Sequence, residues 1–86
     1  MPRPIKTPGP NYSEAGRKKK IEGIVIVGMT IGVDGIPRDI EIERGIGYGL
    51  DQEAVKAAGK WRFSPAETDG KAVRVRIKAE ADFHLY

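Results

Sequence analysis

The stretch that decides the fold is IVIVGMTIGV, Ile24 to Val33. Read with a period of two, Val25, Val27, Met29, Ile31 and Val33 form one apolar row. Ile24, Ile26 and Thr30 form the other, relieved by Gly28 and Gly32. A strand that is apolar on both parities is expected at the centre of its sheet. Asp34-Gly35 then signals a turn, and Pro37 keeps pairing from resuming at once. RDIEIER, Arg38 to Arg44, alternates cleanly. Ile40 and Ile42 take one face and Asp39, Glu41 and Glu43 the other, which predicts a half-exposed second strand.

The last run, VRVRIKAEADFHLY from Val73 to Tyr86, has the strongest period in the chain. Val73, Val75, Ile77, Ala79, Ala81, Phe83 and Leu85 point one way. Arg74, Arg76, Lys78, Glu80, Asp82, His84 and Tyr86 point the other. LDQEAVKAAGKW, Leu50 to Trp61, places Leu50, Ala54, Ala58 and Trp61 on one helical face, with Val55 beside it. Asp51 is its expected N-cap and Gly59 marks its last turn. RFSPAETDGKA, Arg62 to Ala72, reads as a loop, with Pro65 and Asp69-Gly70 as turn signals.

In front of the first strand, NYSEAGRKKKIEG offers Asn11 or Ser13 as the cap of a short helix that Gly23 ends. Met1 to Pro10 holds four of the six prolines and reads as an extended, unpacked linker. The elements run helix, strand, strand, helix, strand. The expected fold class is α+β: a three-stranded antiparallel-type sheet in the order second-first-third strand, with two helices on one face. That face carries Val25, Ile40 and Val75.

Eighty-six residues allow one small domain with a thin core. The absence of cysteine excludes disulfides and cysteine-based metal sites. A single histidine, His84, offers neither a zinc site nor a plausible triad, so no metal, no cofactor and no enzymatic activity are expected. No apolar run reaches the ~20 residues of a membrane span. The net charge of +3 is that of a solvated surface of mixed sign, and nucleic acid is not an expected partner.

GIGYGLDQEA, Gly45 to Ala54, looks at first like a phosphate-binding turn between strand and helix. The third glycine of a dinucleotide fingerprint falls on Leu50, so the glycines are expected only to turn the chain. Glu41 and Glu43 belong to a solvent-facing charge ladder, and Arg17 to Lys20 to a solvated helix end. The last strand has two readings. Its cations protect an exposed edge from aggregation, or the edge is kept open for an extended peptide.

From Tyr12 to Tyr86 the chain resembles the C-terminal domain of TonB-family energy transducers. YSEAGRKKKIEG resembles the family's Tyr-Pro-x-x-Ala-Arg opening and closing glycine, with Ser13 in place of the usual proline and Gly16 a second departure. IVIVGMTIGVDG resembles its first strand and turn, and GLDQEA its Leu-Asp-x-x-Ala helix start. KWRFSPA and DGKAVRVRI resemble the signature Trp-(Arg/Lys)-Phe-x-Pro-Ala and Asp-Gly-(Lys)-x-Val.

The resemblance implies a periplasmic domain of an inner-membrane-anchored protein, working with ExbB and ExbD through an N-terminal region. It implies that the domain captures the TonB box of an outer-membrane transporter as a strand added beside its last strand, and transmits force for transport. Residues 1–10 are then the end of a proline-rich spacer, residues 11–86 the domain, and the chain an excised piece. The expected peptide-binding residues are Arg74, Val75, Arg76, Ile77, Lys78, Ala79 and Glu80, with Asn11 and Tyr12 flanking the groove. Trp61 and Phe63 are expected to anchor the core. The alternative is a structural or assembly module in which the same edge forms strand-exchanged homodimers or holds another envelope partner.

Overall fold

The computed structural model describes residues 1–85. The elements are β1 (Arg3–Lys6), α1 (Glu14–Lys18), β2 (Gly23–Ile31), β3 (Pro37–Arg44), α2 (Leu50–Gly59), β4 (Arg62–Ser64), β5 (Ala66–Thr68), β6 (Lys71–Val73) and β7 (Val75–Phe83). The main sheet has the order β3-β2-β7, with β2 antiparallel to both neighbours. The expected topology is therefore the observed one. Two short antiparallel pairs, β1 with β4 and β5 with β6, form separate two-stranded sheets.

The core forms on one face of β2. Val25, Val27, Met29 and Ile31 are fully buried. Each contributes about 1.5–3 kcal/mol through burial. They pack with Leu50, Ala54 and Ala58 of α2, with Trp61 and Phe63 beyond it, and with Ala81 and Phe83 of β7. Small residues on α2 let it lie close to the sheet. The opposite row is less covered: Ile24 is 43% exposed.

Several local expectations change. α1 ends at Lys18, not Gly23, because Lys20 takes a left-handed conformation (φ 54°). Lys20 N–H donates to the Arg17 carbonyl and Ile21 N–H to that of Gly16, satisfying the helix's last acceptors. Ser13 is the cap, accepting from Gly16 N–H at 3.0 Å. It also donates to the Tyr48 carbonyl at 2.6 Å. Gly16 is buried against Leu50, where a β-carbon would lie 2.7 Å from a Leu50 methyl. The two departures from the family's opening thus join α1 to the start of α2.

Asp51 is not the N-cap of α2, because the helix already begins at Leu50 behind Gly49. Its carboxylate instead accepts from Ile46 N–H at 2.9 Å and Gly47 N–H at 3.3 Å. Gly47, Tyr48 and Gly49 all have positive φ. The loop's convergent backbone donors are thus occupied by the chain's own carboxylate, and the glycines serve the turn.

Arg62 to Ala72 is not a plain loop. It contains β4, and the Asp69-Gly70 turn closes a small hairpin between β5 and β6. The alternating run therefore breaks at Arg74, where the chain leaves β6 for β7. Pro37 does not delay pairing: it is the first residue of β3 and lies opposite Ile31. The proline-rich start is strand-paired and tethered rather than loose. Pro4 lies opposite Phe63, and Trp61 Nε1 donates to the Pro8 carbonyl at 2.8 Å. The outward placement expected of Tyr86 lies outside the described residues.

Candidate functional site: the β7 edge

β7 is an outer strand of the main sheet because β2, the apolar strand, takes the middle. It pairs with β2 without interruption, from Gly23 opposite Phe83 to Ile31 opposite Val75. Among the described residues, its other side has no partner strand in that sheet. In an antiparallel pair successive residues turn their hydrogen-bonding groups alternately toward and away from the partner. Along nine residues of β7, every second N–H and C=O is therefore directed away from β2.

Side chains alternate across this strand. Val75, Ile77 and Ala79 are half-buried on the helix-bearing face, while Arg76, Lys78 and Glu80 are exposed on the other. Below the edge lies a groove of about 330 Å³. Ala79 and Ala81 of β7 line it together with Trp61, Phe63, Pro4 and Pro8. It opens here because the inward row, bulky at Val75, Ile77 and Phe83, is reduced to alanine at positions 79 and 81.

The expected site residues do not form one cluster. Val75, Ile77, Lys78, Ala79 and Glu80 follow one another along the edge, and Ala79 and Glu80 also line the groove. Arg74 precedes the strand and lines a separate depression with Gly32, Val33, Asp34 and Arg38. Arg76 is engaged within the sheet. Its guanidinium donates to the Asp39 carbonyl at 2.6 Å and Thr30 Oγ1 at 3.2 Å, and pairs with Glu41 at 3.4 Å. It spans all three strands over Gly28, where a β-carbon would meet its guanidinium at 3.2 Å and the Glu43 carboxylate at 2.5 Å.

Asn11 does not line the groove but an adjoining depression, with Pro8, Gly9 and α2 residues Glu53 and Lys56. Tyr12 is half-buried: its ring meets Phe83 edge-on at 5.5 Å and its hydroxyl donates to the Ile21 carbonyl at 2.7 Å. Burial, then the nearby carboxylates of Glu22 and Asp82, push its phenol above the ordinary value of 10.0. Tyr12 thus braces α1 against the end of β7. Trp61 and Phe63 are buried in the core as expected, and they also line the groove. Among the groove-lining residues that sequence reasoning did not single out are Pro4, Pro8, Pro10, Ala81 and Asp82. The signal was available in the paired alanines and in a tryptophan whose N–H needs an acceptor when buried.

No helix among the described residues is long and apolar enough to cross a membrane. No group of three or more His, Cys, Asp or Glu among them is placed to hold a metal ion. What the site offers is backbone hydrogen bonding along an edge, an apolar groove beneath it, and charge above it.

The family described as Gram-negative bacterial TonB protein C-terminal matches residues 8–85. Protein tonB2 of Pseudomonas aeruginosa is 32% identical over 82 residues, covering 94% of this chain and 30% of that protein. Protein TonB of Vibrio cholerae is 34% identical over 77 residues, covering 88% of this chain and 32% of that protein. The chain thus spans about a third of the length of these curated relatives. The solution NMR structure of the Pseudomonas aeruginosa TonB CTD superposes with a TM-score of 0.76 at 32% identity, covering 98% of this chain and 86% of that one.

Proposed function

Since the chain belongs to the Gram-negative bacterial TonB C-terminal family, we propose that it is the periplasmic domain of an energy transducer that takes a transporter's TonB box by strand addition to β7. The observation that carries this reading is the straight, unpartnered edge of Val75–Phe83 beside an apolar groove. An added strand gains affinity from its backbone and selectivity from alternate side chains. Those on the helix-bearing side enter the groove, and those on the other side meet Lys78 and Glu80.

In this reading the full-length protein is anchored in the inner membrane and works with ExbB and ExbD. The peptide on β7 is the point at which force reaches the outer-membrane transporter. The domain carries out no chemistry.

The test is an NMR titration of isotope-labelled domain with synthetic peptides copied from the N-terminal segments of outer-membrane transporters encoded in the same genome. Saturable amide shifts along Val75 to Phe83 are expected. Saturable shifts that avoid this strand, or no shifts with any peptide of the panel, would sink the proposal.

A further inference from the structure

The short ribbon of β1 and β4 has two unlike faces. Its inner face is apolar: Pro4 lies opposite the buried Phe63, and both line the groove beside β7. Its outer face is cationic. Residues directly opposite one another share a face of a strand pair. Lys6 therefore stands beside Arg62, and Arg3 beside Ser64, all four exposed. Lys60, two positions before Arg62, is exposed and lines a depression with Pro8 and Gly9.

Like charges directly opposite weaken a strand pair, so Lys6 against Arg62 costs this ribbon stability. Arg62 donates to the Gly59 and Trp61 carbonyls, neither of which carries charge. Among the described residues, none of Arg3, Lys6, Lys60 and Arg62 takes part in a salt bridge. The same segment carries the two large apolar side chains most open to solvent, Met1 at 96% and Ile5 at 70%. Ile5 is the extra residue of the bulge in β1, so it and Lys6 together oppose Arg62. The rings beside Arg62 in the sequence, Trp61 and Phe63, are buried and offer no stacking surface to a nucleic-acid base. Cations interleaved with a protruding aliphatic side chain fit a layer of anionic headgroups. Charge supplies the attraction there, and the apolar side chain reaches the acyl boundary.

We propose that the outer face of the β1–β4 ribbon docks on an anionic phospholipid membrane surface through Arg3, Lys6, Lys60 and Arg62, with Ile5 inserted among the headgroups. The groove lies on the inner face of the same ribbon, so membrane contact and the β7 edge occupy different surfaces. This inference does not depend on the peptide reading.

The experiment is co-sedimentation of the whole chain with vesicles of phosphatidylglycerol and phosphatidylethanolamine, beside vesicles of phosphatidylcholine alone. Binding is expected only with the anionic vesicles. It should be lost in ~0.5 M salt and untouched by millimolar inorganic phosphate at constant ionic strength. Lys6→Gln combined with Arg62→Gln is expected to weaken it about 25-fold, at about fivefold per cation. Ile5→Ser is expected to weaken it about tenfold at unchanged charge. Lys18→Gln combined with Lys19→Gln, in the basic run of α1, is expected to weaken it less than about twofold, since that charge lies off the docking face. Circular dichroism verifies folding, and the Lys6/Arg62 variant, relieved of opposed like charges, is expected to keep or raise its unfolding midpoint. The proposal is overturned by no binding to anionic vesicles, or by equal binding to phosphatidylcholine. It is also overturned by an Ile5→Ser variant that binds as tightly as the parent, or by an α1 variant that loses as much as the Lys6/Arg62 variant. Displacement by millimolar inorganic phosphate would mark a site for the free anion and overturns it too.

Discussion

The two edges of the main sheet are built in opposite ways. β3 is broken twice in its register with β2, between Ile26 and Val27 and between Gly28 and Thr30. At the second break Asp39 and Ile40 stand against Met29 alone, and Asp39 takes a φ of 50°. Its first residue is proline, which has no N–H to offer. Bulges and an edge proline are the usual means of blunting a strand against unwanted partners. β7 has neither, and runs in unbroken register for nine residues. The protein disarms one edge and leaves the other straight. The contrast lies in the backbone: β7 carries exposed charges at Arg76, Lys78 and Glu80 but neither bulge nor proline, while β3 demonstrates that the same sheet tolerates both.

The largest test of this asymmetry is proline placed at adjacent positions of β7. Of Ile77→Pro and Lys78→Pro, the one whose N–H donates to β2 is expected to lose about 1–3 kcal/mol of stability in urea unfolding, for the ladder hydrogen bond removed and the acceptor left unpaired. The other is expected to remain folded and to lose only edge pairing with peptide. Equal and severe unfolding by both would mean that the outer side of β7 is not open.

Next is Arg76→Met, which severs the tie between the edges. Arg76 on β7 satisfies the carbonyl of the Asp39 bulge on β3. With its guanidinium partly exposed, the expected loss is about 1–2 kcal/mol, and amide exchange should rise around Asp39 before it rises along β7. A smaller effect of opposite sign is expected for Asp39→Gly. Glycine adopts positive φ without a β-carbon penalty, so stability should rise by about 0.5 kcal/mol. No gain, or a loss, would show that the Asp39 side chain contributes something beyond the bend.

The smallest effect is acid sensitivity at the root of β3. Arg38 binds Asp34 through two hydrogen bonds, 2.9 and 2.8 Å, and with Ile36 N–H holds its carboxyl well below the ordinary 3.8. The folded state therefore binds this proton less readily than the unfolded chain. The contribution is fully present above the unfolded value and is lost as pH falls below about 3.8 toward the depressed folded value. Asp34→Asn should flatten that part of the acid-unfolding profile. An unchanged profile would mean that the pair contributes nothing to stability.

Much of the fold was legible because its decisive signals are local. Two apolar rows placed β2 in the middle, and strict alternation marked β3 and β7. Asp34-Gly35 gave the hairpin turn, where Gly35 has a φ of 79° and its carbonyl accepts from Phe63 N–H at 3.0 Å. The bulges were not legible, because an extra residue in one strand is defined by its partner's register and leaves little trace in its own periodicity. The β5–β6 hairpin escaped because its strands have three residues each and are mostly exposed, giving no apolar alternation.

Residues 1–10 misled for a related reason. Proline marks a chain that cannot join a central strand, but β1 is a short outlying strand with every residue exposed, where that restriction does not apply. Of the candidate site, the strand was legible and the groove was not. The strand is a property of one run of sequence. The groove needs Pro4, Trp61 and Ala79 to meet, and no single window holds them.

The position of β7 also governs when the domain can form. β2 sits near the start of the chain, and Gly23 finds its partner Phe83 only sixty positions later. During synthesis β2 and β3 can close as a hairpin early, yet one side of the most apolar strand remains bare until the C-terminal residues have emerged. Closing a loop of that length precedes any reward from pairing, which places this domain among mixed topologies that fold more slowly than helical bundles. The interval before β7 arrives is when the chain is most exposed to aggregation.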